Sequence, residues 1–242
     1  MESQQVACKD LQKASITKTL DYLKRSPYQT IIYGVSGSVA TIKAFDIITE
    51  LLKLNLNVVF VSTQKSQHFL DIENYSITQI IKENLPDLER PQEKPVLVQF
   101  KDEDEWLWSS MQDHVLHIEL RRVATIILIA PLSANTLAKL ANGLCDNLLT
   151  CVARCWDVKS GVNPFIVAPA MNTLMYEHPI TDSQLSFINE KLNIKVLPTA
   201  FKKLACGDEG YGALIDTQSI IKAVSESMKK DINSQMMMEP SE

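Results

Sequence analysis

Six short apolar runs punctuate the chain: TIIYGV (30–35), NVVFVST (57–63), VLVQF (96–100), TIILIAP (125–131), PFIVAPA (164–170) and KVLPT (195–199). They are rich in β-branched residues and continuous rather than alternating, the pattern of strands covered on both faces in a parallel sheet. Between them the period changes to that of a helix. Ile42, Phe45, Ile48, Leu51 and Leu52 recur at helical spacing between the first two runs, which makes a βαβ unit with an expected right-handed crossover. Further helices are expected over 114–123, 136–142, 146–156, 182–192 and 217–229. The pattern predicts one α/β domain, a three-layer, doubly wound parallel sheet. It spans 28–230, after an N-terminal extension (1–27) that stands outside the alternation. The tail from 231 to 242, ending in NSQMMMEPSE, has no face to bury and is expected to be disordered. The charged, proline-broken stretch 81–95 reads as a surface excursion before the third strand.

Composition narrows the function classes. A chain of 242 residues buries enough apolar surface for one sizeable domain. The net charge of -5 gives no electrostatic reason to expect nucleic acid. No apolar run approaches the roughly 20 residues that cross a bilayer, and the first residues lack the pattern of a signal peptide, so a cytoplasmic protein without a membrane partner is expected. Cys8, Cys145, Cys151, Cys155 and Cys206 are odd in number and lack paired CxxC spacing, which disfavours a disulfide framework or a zinc site.

Candidate chemistry collects where strands end, the side on which sheets of this kind bind ligands. The first strand runs into Gly34-Val35-Ser36-Gly37-Ser38-Val39-Ala40, a turn in which glycines let backbone approach a guest and helix-start N–H groups attract an anion; a tight turn with a serine cap fits as well. The second ends in Ser62-Thr63-Gln64-Lys65-Ser66 and the fourth in Ser133-Ala134-Asn135-Thr136. Each cluster alone reads as a helix cap. Three along one edge favour a polar ligand. The fifth ends Pro169-Ala170-Met171-Asn172-Thr173-Leu174-Met175, where Asn172 either caps a helix or holds a carboxylate or amide between polarizable methionines. His117 suits a hydrogen-bonded structural role or that of acid, base or carboxylate partner. Residues 202–212 hold three of the seven glycines around Cys206, like a hinged lid carrying a thiol.

Taken together, GSVA (37–40), VLHIELRR (115–122), APLSANTLAKLANGLCDNLLT (130–150), PAMNTLM (169–175) and KKLACGDEGYGA (202–213) resemble the homo-oligomeric flavin-containing cysteine decarboxylases, the family of phosphopantothenoylcysteine decarboxylase. The resemblance implies a Rossmann-like flavoprotein fold, bound FMN, and decarboxylation of 4'-phospho-N-pantothenoylcysteine to 4'-phosphopantetheine in coenzyme A synthesis. FMN would take a hydride equivalent from the cysteine moiety, the thioaldehyde would lose CO2, and the electrons would return to the enethiol. By motif, His117 matches the essential histidine, Asn172 the residue that binds the substrate carboxylate with Met175 beside it, and Cys206 the proton donor that also meets the substrate. FMN contacts would come from Gly37, Ser38, Val39, Thr63, Ser66, Ser133, Ala134, Asn135, Thr136 and Ala170. The resemblance further implies a homotrimer with FMN at the subunit boundary and the histidine supplied by a neighbour. Val123 and Tyr176 stand where tryptophans are common in the family. Rival expectations within this resemblance are a peptide-cysteine decarboxylase, a flavin prenyltransferase, which the ACGD loop disfavours, and a phosphatase-inhibiting regulatory relative.

Overall fold

The computed structural model describes residues 2–72, 84, 86–88, 92–203 and 209–236. The chain enters through α1 (Glu2–Lys24), then β1 (Thr30–Val35), a 3-10 turn (Val39–Lys43), α2 (Ala44–Lys53), β2 (Asn57–Ser62), α3 (Gln64–Ile72) and β3 (Leu97–Phe100). A short acidic helix, α4 (Asp102–Glu105), and α5 (Leu116–Val123) lead to β4 (Ile126–Leu132), α6 (Ala134–Asn142), α7 (Leu148–Arg154) and β5 (Phe165–Pro169). Then follow α8 (Thr173–Tyr176), α9 (Pro179–Leu192), β6 (Lys195–Val196), a hairpin of β7 (Ala200–Lys203) and β8 (Glu209–Ala213), and α10 (Thr217–Met236).

Six parallel strands form one sheet in the order β3-β2-β1-β4-β5-β6. Every residue of β1, β2 and β4 is buried, which is why those strands read as unbroken apolar runs. Side chains alternate between two cores. Ile32, Val59, Val61, Ile127 and Ile129 pack with Leu120, Leu137 and Leu149. Ile31, Tyr33, Val58, Phe60 and Leu128 pack on the other face with Ile47, Leu51, Ile220 and Val224. Truncating one of these, Ile129→Ala for instance, would cost about 2–5 kcal/mol through lost transfer energy and an unfilled cavity.

The expected fold class is thus observed, with strand ends moved by a residue or two and β6 reduced to two residues. Two domain boundaries need correction. The extension 1–27 is not outside the folded unit: α1 buries Leu20, Tyr22 and Leu23 in the same core as α5, because Leu20, Leu23 and Ile16 share one helix face. At the other end α10 continues to Met236, so 231–236, expected to be disordered, are helical. The excursion 81–95 lies mostly outside the described residues. Its described end is tied to the sheet, since Gln92 Nε2 donates to Asn57 Oδ1 at 2.5 Å and the Tyr28 hydroxyl to the Glu93 carbonyl at 2.8 Å. Among the described residues, no helix is long and apolar enough to cross a membrane.

Candidate active site

Strand order reverses between β1 and β4, so the loops leaving these two strands diverge and open a crevice at their carboxyl ends. Ser36 ties the crevice together. Its N–H and its hydroxyl both donate to the Pro131 carbonyl, at 3.3 and 2.9 Å, while its Oγ accepts from the Ser133 N–H at 2.8 Å. The buried Thr41 hydroxyl donates to the Ser36 carbonyl at 3.0 Å, fixing the turn that follows β1.

A cavity of about 820 Å³ opens at this point, within the usual range for small-molecule sites. One wall is 37–40, Ile42 and Lys43; the next is Ser133 and Ala134; Ala170, Met171, Asn172 and Met175 supply the third. Phe69, Lys202 and 212–217 complete the lining. Gly37 lets the first wall lie close to α3, because a Cβ there would sit 3.0 Å from Lys65 Cβ. Two helical segments begin on the walls, each capped by serine: Ser38 Oγ accepts from the Ala40 N–H and Ser133 Oγ from the Thr136 N–H, both at 3.4 Å. Such starts carry partial positive charge and suit an anionic guest.

The third wall is clamped to the hairpin. The Met171 N–H donates to the Gly212 carbonyl at 2.9 Å. Gly212 has φ 118°, and a Cβ there would lie 2.5 Å from the Met171 carbonyl oxygen, so only glycine fits. Asn172 caps α8, its Oδ1 accepting from the Leu174 N–H at 2.9 Å.

Of the residues singled out from the sequence, Gly37, Ser38, Val39, Ser133, Ala134, Ala170, Asn172 and Met175 share this cavity. Thr63, Ser66, Asn135 and Thr136 are not on its wall. Ser66 turns inward, its hydroxyl donating to the Thr63 carbonyl at 2.7 Å, and the Thr63 hydroxyl donates to Ser66 Oγ at 3.3 Å. Thr136 is buried beneath the Ser133 cap, whereas Asn135 is exposed. Cys206 lies outside the described residues. Of the two departures from the family pattern, Val123 packs against the core at the end of α5, and half-buried Tyr176 ends α8 behind Gly212 of the lining without itself forming part of it. Periodicity alone did not reveal Lys43 or Phe69 as lining residues, and Ser36, inside the turn singled out from the sequence, was not distinguished there as its tie.

His117 belongs to a second cluster. It is the second residue of α5, whose N-cap Val115 offers no side-chain cap. Glu105, from α4, fills that role: its Oε2 accepts the His117 N–H at 3.0 Å, and its Oε1 lies 2.5 Å from Nδ1. Both side chains are mostly buried, at 25% and 13% exposure. The Cys155 thiol points to the His117 carbonyl at 3.6 Å. Burial first, and also the Glu105 charge, push the Cys155 thiol up against the pull of Arg121. The Cys151 thiol is pushed up to about 11 by burial first, with Cys145 and Glu105 adding. Both thiols are therefore neutral near pH 7 and do not compete for the imidazole proton. The segment between Glu105 and α5 exposes Trp106, Trp108, Met111 and Val115.

The chain is similar to known proteins over most of its length. The Flavoprotein family profile matches residues 20–229. A phosphopantothenoylcysteine decarboxylase of Mus musculus is 41% identical over 196 residues, covering 80% of this chain and 84% of its own. A solved cysteine-to-serine mutant of PPC decarboxylase, complexed with pantothenoylaminoethenethiol, superposes with a TM-score of 0.69 at 41% identity, covering 84% of this chain and 99% of that one. The FMN binding protein AtHal3 gives 0.66 at 42% identity, covering 84% and 97%. With both the strand-end cavity and the His117 helix inside the matched span, this chain belongs to the flavoprotein family.

Proposed function

We propose that the protein is an FMN-dependent carboxy-lyase that converts 4'-phospho-N-pantothenoylcysteine to 4'-phosphopantetheine, a step in coenzyme A synthesis. The observation that carries the reading is the convergence of a glycine turn, two serine-capped helix starts and Asn172 on one cavity. The residues fit the cofactor. Gly37 and Ala170 would leave room for a flat ring, Val39, Met171, Met175 and Leu214 would give it apolar contact, and the capped starts with Lys43 would meet the phosphate charge. When bound, FMN supplies a reversible two-electron acceptor that no side chain provides.

The polypeptide supplies placement. The Asn172 carboxamide holds the substrate carboxylate beside Met175, and the β7–β8 hairpin contributes Lys202 to the lining as a second cation. Cys206, between those strands, donates the proton that completes the product. Such alignment of reacting groups lowers a barrier by as much as about 7–11 kcal/mol in the best cases. His117 is absent from the cavity lining, which supports a homotrimer in which each cavity receives the imidazole of a neighbouring subunit. The exposed Trp106, Trp108, Met111 and Val115 beside it are suitable material for that boundary. Because its substrate is a charged phosphate ester, which does not cross membranes unaided, we assign the enzyme to the cytoplasm.

The test is to supply 4'-phospho-N-pantothenoylcysteine and follow CO2 release by mass together with the flavin spectrum. Yellow protein that releases CO2 is expected, with peptides ending in cysteine as poor competitors. Folded protein that takes up no FMN, or that holds FMN and leaves the substrate intact, contradicts the reading.

A further inference from the structure

We infer that Glu105 is a positioning residue that fixes the His117 imidazole as the tautomer protonated at Nδ1, leaving Nε2 as the proton acceptor toward the substrate. The inference rests on the carboxy-lyase reading for its catalytic meaning, and on geometry for the rest. One carboxylate meets two groups of the same residue: the backbone N–H of His117 at Oε2, 3.0 Å, and Nδ1 at Oε1, 2.5 Å. An ionised carboxylate only accepts, so Nδ1 must carry the hydrogen. The backbone bond also satisfies an orphan donor at the start of α5. Imidazole orientation and helix start are thus set by one group.

Glu103 of α4 is exposed, and other titratable groups on α4, α5 and α7 have interactions of their own. On α4, Asp102 accepts the Leu148 N–H at 2.9 Å and Asp104 the Lys101 N–H at 2.8 Å. On α5, Glu119 is held by Arg122 and by Lys24 of α1, at 2.6 and 2.8 Å, while Arg121 acts on Cys155. On α7, the Cys151 and Cys155 thiols are neutral near pH 7. Glu105 remains the partner of Nδ1. When Nε2 takes a proton the ring becomes imidazolium, with its charge held at Nδ1–H by Glu105. Release of that proton from Nε2 restores the starting state.

Glu105→Gln separates this role from mere packing. The amide is isosteric but has one oxygen. The backbone N–H can only donate, so the amide oxygen turns to it and the NH2 faces Nδ1, which must then accept. The ring proton moves to Nε2. Labelling the four histidines with 15N, assigning His117 by difference with His117→Asn, and titrating until the ring is neutral reads the tautomer directly. In the FMN-loaded protein, Nδ1–H is expected in the wild type and Nε2–H in Glu105→Gln. The variant should also lose about 10²- to 10⁴-fold in kcat, with KM within a few-fold and FMN content unchanged. Glu105→Asp, which keeps two acceptors, should retain the tautomer and lose less. An Nε2–H wild type, or a Glu105→Gln protein with unaltered tautomer and near-normal kcat, overturns the inference. Wild-type protein that binds FMN but releases no CO2 overturns the carboxy-lyase reading instead, and the two failures are seen in separate channels of one experiment.

Discussion

The strand-end cavity and the His117 cluster are assembled by opposite means. The cavity is lined by small and apolar side chains on segments that follow different strands, and these meet because the sheet reverses its order between β1 and β4. The cluster is made of side-chain chemistry on two neighbouring short helices, with a carboxylate on α4 and an imidazole on α5. Topology creates the first, and a local pairing creates the second. On the proposed reading, a guest would be held by residues that take no part in proton transfer, and the imidazole would be prepared where no guest lies.

The sharpest way to break this division is His117→Asn. FMN binding should persist while kcat falls by about 10²- to 10⁴-fold, as expected when one acid or base is removed. Parallel loss of flavin would tie the two regions together after all. Gly212→Ala should act on the cavity instead. With φ 118° and a Cβ 2.5 Å from the Met171 carbonyl, it should destabilise the hairpin contact by about 1–3 kcal/mol, read as a lower urea midpoint and a raised KM. Ser36→Ala removes the hydroxyl that joins Pro131 and Ser133 and leaves a buried N–H without its acceptor, for a loss of about 1–3 kcal/mol and weaker FMN retention.

The smallest effect is expected at the brace of the histidine helix. Burial pushes Glu119 up, but hydrogen bonds from Lys24 and Arg122 outweigh it and hold the carboxyl below the ordinary glutamate range. Such a group stabilises the fold above its unfolded pKa, and that stability is lost as pH falls through the folded value. Lys24→Met should cost about 0.5–1 kcal/mol at neutral pH, since Lys24 is partly exposed and Arg122 remains. The difference from wild type should shrink as pH drops below about 4, measured by denaturant unfolding.

These regions differ in how far they can be read from sequence. Strands buried on both faces appear as unbroken apolar runs, so the sheet and its carboxyl edge were legible, and with them Gly37, Ser38, Ser133 and Asn172. The same polarity at a strand end also serves internal bonding, and spacing does not tell which way Thr63, Ser66 or Thr136 turns. Ser36 bonds a residue 95 positions away, a partner no local window contains. Glu105 sits in a four-residue helix, too short for any period to mark it, twelve positions before the histidine it holds. The helix α1 escaped notice because Ile16, Leu20 and Leu23 are its few apolar anchors in a polar sequence.

The assembly proposed above requires cavity and imidazole to meet only between copies of the chain. Co-expression of two separately inactive proteins, His117→Asn with an intact cavity and Asn172→Asp with an intact histidine, tests it most directly. If every site joins one subunit's cavity to its neighbour's His117, random assembly restores about a quarter of the wild-type sites. If cavity and histidine of one chain serve the same site, the mixture stays as inactive as its components, and the account fails.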